Sequence, residues 1–158
     1  MRIWIDTEFN GFEGELISLA LVDEAGRSFY HYLPCAEPAA WVAGNVLPVL
    51  GMHRADGAPT STPFMHPRDF WSLHRMQFAL AQWLSSYEAV HLVADWPEDI
   101  AHFCRVLITG PGTRLVTPAL TMEVRRDLDA PSLVPHNALE DARAMRAVHL
   151  AYEEVGCV

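Results

Sequence analysis

The chain of 158 residues contains no lysine; its eleven bases are all arginine, set against twenty acids for a formal net charge of −9. That balance excludes broad, non-specific binding of duplex nucleic acid, which needs a basic surface. It leaves open a pocket that takes a nucleic-acid end through metal ions, because each divalent cation reverses the local sign of the charge. Arginine, with its planar fork of donors, suits the phosphate contacts such a pocket needs. Cysteine is scarce as well. Cys35, Cys104 and Cys157 show no metal-ligand spacing and cannot all pair with one another, so free thiols in a reducing cytoplasm are expected. No apolar run approaches the roughly 18 residues of a spanning helix, and one arginine followed by an acid-bearing strand does not read as a signal peptide. A soluble cytoplasmic protein with no membrane partner is therefore expected. Repeats and low-complexity tracts are also missing. With 51% hydrophobic and 20% charged residues, the chain should form a single globular domain over 1–158.

What is present begins with Arg2-Ile-Trp-Ile-Asp-Thr-Glu-Phe-Asn-Gly11. Strand side chains alternate, so Trp4, Asp6 and Glu8 share one face while Ile3, Ile5 and Thr7 share the other. Two acids on one face at the tip of a mostly buried strand repel each other and resist desolvation. A solvated strand end would be the plain explanation. A cation, a proton or a substrate that relieves the repulsion would be the functional one.

Two more strand patterns, 15–22 and 27–33, follow with the turn Asp23-Glu-Ala-Gly26 between them, giving an antiparallel meander of three strands. Residues 41–50 read as a short helix stopped near Pro48. The segment 51–67, with two glycines, three prolines and a Thr-Ser-Thr cluster, reads as a loop. An amphipathic helix is expected over 69–87, with Asp69 at its start and Phe70, Leu73, Leu80 and Leu84 on one face. The run 89–94 has strand length, and its His91 reads as a core or edge histidine. Pro97 then suits a helix start, with a helical stretch from about 100 to 107, a turn at 110–112, a short strand at 115–119 and a connector over 121–134. Arg125 and Arg126 in that connector read as solvated surface or as a phosphate contact. The last helix should begin at Ala138, because Asn137 and Glu140 have capping-box spacing. That places His136 just outside the helix and Asp141 inside its first turn.

Asp6 and Glu8 at a strand end, Asp99 at one helix start and Asp141 at another occupy matching positions, since reacting groups in open α/β sheets collect where strands end and helices begin. Asp99 has a competing explanation, because first-turn carboxylates also favour the helix dipole. Four acids converging on one point require cations, and an all-oxygen donor set suits Mg²⁺ or Mn²⁺. Two such ions form a clamp for phosphodiester hydrolysis. A nearby His136 would take the proton from the attacking water.

Asp6-Thr-Glu8, Asp99 and His136-Asn-Ala-Leu-Glu-Asp141, in this order and across almost the whole chain, resemble the three motifs of the DnaQ-like 3′–5′ exonucleases of the DEDDh type. The small size and the Asp-Thr-Glu-Phe opening are most similar to the short bacterial exoribonucleases of the ribonuclease AS kind. The resemblance implies a ribonuclease H-like α/β fold, with a mixed sheet of three meander strands plus parallel strands flanked by helices. It implies two divalent ions, Mg²⁺ or Mn²⁺, held by Asp6, Glu8, Asp99 and Asp141, with Asp6 bridging and His136 as general base. Thr7, Phe9 and Asn10 would lie against the terminal nucleotide. The substrate would be the 3′ end of single-stranded RNA or of a short oligonucleotide, and the assembly a homodimer. One position departs from the pattern: the family commonly has asparagine four residues before the second-motif aspartate, and this chain has Asp95. Asp95 and Asp99 are thus both candidates for that metal-site acid. The helix-start placement favours Asp99, with Asp95 assisting through a water. A phosphodiesterase for small nucleotides and a non-catalytic binding module on the same fold are the alternative functions.

Overall fold

The computed structural model describes residues 1–52 and 69–156, so most of the loop expected over 51–67, and Cys157, lie outside the described residues. The fold is α/β. A five-stranded sheet runs in the order β3-β2-β1-β4-β7, built from β1 (Arg2–Phe9), β2 (Leu16–Asp23), β3 (Ser28–Tyr32), β4 (Ala89–Ala94) and β7 (Ala119–Val124). The three meander strands pair antiparallel, whereas β4 lies parallel to β1 and β7 parallel to β4. A separate hairpin of β5 (Ile108–Gly110) and β6 (Thr113–Arg114) turns at Gly112, whose φ of +71° suits a residue without Cβ. The helices are α1 (Ala40–Asn45), α2 (Leu73–Leu84), α3 (Pro97–Val106) and α4 (Ala138–Glu154). Among the described residues no helix is long and apolar enough to cross a membrane.

The strand alternation expected for β1 is realised. Ile3 and Ile5 pack with Leu19, Leu21, Met76, Leu80, Leu92 and Phe103, a core that joins the sheet to α2 and α3. Trp4 packs on the opposite face with Val93, Leu128 and Met145 of α4. The sheet is thus covered on both sides, and Asp6 and Glu8 follow Trp4 along the α4 face. Pairing of β1 with β4 ends at Trp4–Val93. Past that point β1 keeps only its antiparallel neighbour β2, with a register irregularity between Glu8 and Phe9. A crevice opens where the parallel pairing stops, at the carboxyl ends of β1 and β4.

Three elements differ from their expected bounds. The helix expected over 69–87 is shorter because Ser72 takes the cap, its hydroxyl accepting from the Arg75 N–H at 3.2 Å. The strand expected at 115–119 forms instead over Ala119–Val124, inside the stretch read as connector. Pro118 cannot donate to a ladder, which ends the earlier run, and backbone pairing with β4 holds an edge segment whose side chains are mostly exposed. The helix expected from about 100 starts at Pro97. The last helix begins at Ala138 as its cap requires: the Asn137 side chain accepts from the Glu140 N–H at 3.3 Å.

Candidate metal centre

Asp6, Glu8, Asp99 and Asp141 come together in a cleft of about 550 Å³ whose walls also carry Asp95, Asp129, Arg126 and His136. β1 delivers Asp6 and Glu8, α3 delivers Asp99 from its first turn, and α4 delivers Asp141 from its own. Ligand oxygens of Asp6, Glu8 and Asp141 lie within 4.8 Å of one another, as do those of Asp6, Asp95 and Asp99. Asp6 therefore belongs to both groups. Two ionised carboxylates at that separation repel by about 3–4 kcal/mol at an effective dielectric near 20.

Burial, with this repulsion added to it, shifts the acids toward their protonated forms. Burial, reinforced by Asp99, Glu8, Asp141 and Asp95, raises the Asp6 carboxyl well above its ordinary range. Glu8 is raised to about 8, by burial first and then by Asp141 and Asp99. Burial lifts Asp99 to about 7 against the opposing pull of Thr7. Asp141 stands at about 6, where burial outweighs the nearby Ser132 hydroxyl and His136. Among the described residues that line the cleft, six are acids and Arg126 is the one permanent cation.

Thr7 lines the cleft and also holds one of its acids. It points to the α3 side and is buried, and both its N–H and its hydroxyl donate to Asp99 Oδ1, at 2.9 and 2.6 Å. These two bonds fix the Asp99 carboxylate. Phe9 lines the cleft and stacks on His102, with ring centroids 4.9 Å apart. Asn10 does not face the cleft: its amide donates to Glu37 O at 3.0 Å and its carbonyl accepts from Ala39 N–H at 2.7 Å, which ties β1 to the start of α1. His136 is exposed at the cleft, with φ +65° and its ring edge-on to Trp41 at 4.9 Å. A histidine in the left-handed region is uncommon, and such outliers concentrate at functional sites.

No family model matches the chain, and no curated protein sequence matches it significantly.

Four further residues belong to the site. Trp96 continues an aromatic line from Phe9 through Phe12, at 6.3 and 6.4 Å between successive centroids. Arg126 lies over the Trp96 ring at 4.3 Å and donates to the Asp95 carbonyl at 2.9 Å. Trp41, from the weakly helical 40–45 stretch, stands against His136. The sequence reads Arg126 as solvated surface or as a phosphate contact, and offers little warning of the three aromatic residues. Trp96 and Arg126 lie 30 residues apart and meet only because β4 and β7 are adjacent. Among the described residues the donor set consists of carboxylates alone, in two groups that share one member, which fits hard divalent cations such as Mg²⁺ or Mn²⁺.

Proposed function

We propose that this chain is a metal-dependent 3′–5′ exonuclease of the DnaQ-like DEDDh type on a ribonuclease H-like fold, acting in the cytoplasm on single-stranded RNA or short oligonucleotides. The observation that carries the reading is the pair of carboxylate groups joined at Asp6, with His136 at the same cleft. The mixed sheet, with its meander followed by parallel strands, supports it further.

Asp6 would serve both ions, Glu8 and Asp141 one side, and Asp99 the other. Two divalent ions held there would polarise the scissile phosphate and the attacking water, and would stabilise the leaving oxygen. The protein's own groups do the rest. His136 accepts the proton of the attacking water from its exposed position beside Asp141. Thr7 keeps Asp99 in one orientation through its two hydrogen bonds. Phe9 and Trp96 offer faces on which terminal bases can stack, and Arg126, braced on Trp96, offers its remaining N–H groups to a phosphate. An acidic cleft with one arginine suits a strand end that arrives with cations, and does not suit a duplex.

The test is degradation of a 5′-labelled single-stranded RNA with Mn²⁺ or Mg²⁺. A ladder that shortens from the 3′ end, and disappears with chelator and in Asp6→Asn, is the expected result. Undiminished cleavage by Asp6→Asn would overturn the reading. Turnover confined to dinucleotides would assign the cleft to small nucleotides. The homodimer that the resemblance implies is checked by sedimentation.

A further inference from the structure

We propose that Asp95, where the resembled family commonly has asparagine, is a direct carboxylate ligand for a divalent cation on the Asp99 side of the cleft. The inference rests on the metal-centre reading above and adds a ligand to it.

The backbone at Asp95 is held on both sides. Ala94 O accepts from the Arg125 N–H at 2.7 Å, Asp95 O accepts from Arg126 Nη1 at 2.9 Å, and Pro97 opens α3 two residues on. Arg126 thus binds the main chain of Asp95, and no ion pair within 4.0 Å consumes the Asp95 side chain among the described residues. That side chain lines the cleft and offers an oxygen within 4.8 Å of both Asp6 and Asp99.

The two sides of the centre show why it is needed. Asp6, Glu8 and Asp141 make three carboxylates on one side. On the other, Asp99 commits Oδ1 to two hydrogen bonds from Thr7, which leaves its second oxygen and the shared Asp6. A hard cation takes six or more oxygens and selects sites by charge and ligand number. Asp95 restores the second side to three carboxylates. The competing role for Asp95 is local, since its carboxylate lies against its own N–H and that of Trp96, the residue before α3, and the turn into the helix would use those bonds. Asparagine and serine side-chain oxygens accept such local backbone bonds as well, so exchanging Asp95 for either keeps them and removes the charged ligand.

The experiment is calorimetric titration of Mn²⁺ into the metal-free full chain, comparing wild type with Asp95→Asn and Asp95→Ser, with a thermal melt of each metal-free protein to establish folding. Wild type should bind two ions. In both variants one site should weaken by roughly tenfold or more, the scale on which even outer partners of a metal site act, while the other keeps its affinity. The metal-free variants should melt no lower than wild type, because one of several like charges has gone. Two-site isotherms unchanged from wild type would overturn the Asp95 assignment and leave the metal centre standing. Equal weakening of both sites, abolished by added salt, would also overturn it, since that is the mark of a diffuse charge effect. No Mn²⁺ binding by wild type would overturn the metal-centre reading and this inference with it.

Discussion

At the amino-terminal end of β1, on the α4 face of the sheet, Arg2 donates to Glu153 at 2.9 Å and lies 3.3 Å from Glu24, while Arg125 pairs with Asp127 at 2.7 Å. Buried His149 accepts from the Trp4 indole N–H at 3.1 Å between the two arginines. At the carboxyl end of the same strand six acids share a cleft with one arginine. The first cluster depresses its acids, Asp127 to about 2 through the Arg125 hydrogen bond, and Glu153 below its usual range through Arg2. The second raises every acid at its centre. Balanced charges of this kind add to stability or leave it unchanged. Like charges packed together lower it, and groups shifted in this way concentrate at functional sites. Both clusters draw on the same residue types, so composition could not have separated them.

The sharpest way to break the comparison is Asp6→Asn. Asp6 sits in both carboxylate groups, so its loss should remove nuclease activity to the detection limit and abolish high-affinity Mn²⁺ binding. The same substitution should raise the melting temperature of the metal-free protein. An Asp6→Asn protein that melts lower and cleaves normally would place the cleft in the same class as the paired cluster.

His136→Ala comes next. It leaves the carboxylates in place, so Mn²⁺ affinity should hold while turnover falls by about 10²–10⁴-fold, the usual share of a general base. A fall in Mn²⁺ affinity as large as the fall in turnover would make His136 a ligand or a packing residue.

pH separates the clusters without mutation. Glu8 and Asp99 hold protons in the folded state up to about 8 and about 7, against ordinary values of 4.5 and 3.8. Between those limits these two acids bind more protons in the folded chain than in the unfolded one, so their contribution to the stability of the metal-free protein falls as pH rises from about 4 to about 8, by at most about 1.4 kcal/mol per pH unit for each proton held. His31, His102 and His149, whose protonation burial disfavours, act in the opposite sense below about 6.5. Mn²⁺ takes the place of the protons and should flatten or reverse that slope. Thermal melts from about pH 6.5 to 8, above the range of those histidines, with chelator and with Mn²⁺, decide it. A metal-free slope of the opposite sign would mean that the acids are paired after all.

The elements that deliver the cleft's acids were legible because each rests on a local rule. Alternation put Asp6 and Glu8 on one face, Pro97 and the acids after it marked the start of α3, and Asn137 capped α4 so that His136 and Asp141 flank its first turn. Elements set by the sheet were less legible. β7 looked like connector because an edge strand half open to solvent shows no strong apolar period. Thr7 lines the cleft, but its bond to Asp99, 92 positions away, had no local signal. Trp96 and Arg126 meet across 30 residues through the parallel pairing of β4 and β7. Spacing along the chain reports what one helix or strand does to its own side chains, and says little about which loops the topology brings side by side.

The smallest effect is expected at the opposite end of β1. Arg2→Gln removes a guanidinium that meets Glu153 and Glu24 and lies 5.2 Å from the Trp4 ring centroid, but leaves the bond between Trp4 and His149 intact. The Arg2 side chain is partly exposed, so its ion pairs are screened and worth about 1 kcal/mol or less. For a chain of this length that corresponds to roughly 2–4 °C in melting temperature. The melting temperature should fall, opposite in sign to Asp6→Asn, with nuclease rate and Mn²⁺ affinity unchanged. The readout that matters is Mn²⁺ affinity, because in a chain of net charge −9 bulk charge alone would already move the two melting temperatures in opposite directions. If Arg2→Gln also weakened Mn²⁺ binding, the two ends of β1 would be coupled through the strand, and the division between a paired structural cluster and an unpaired functional one would fail.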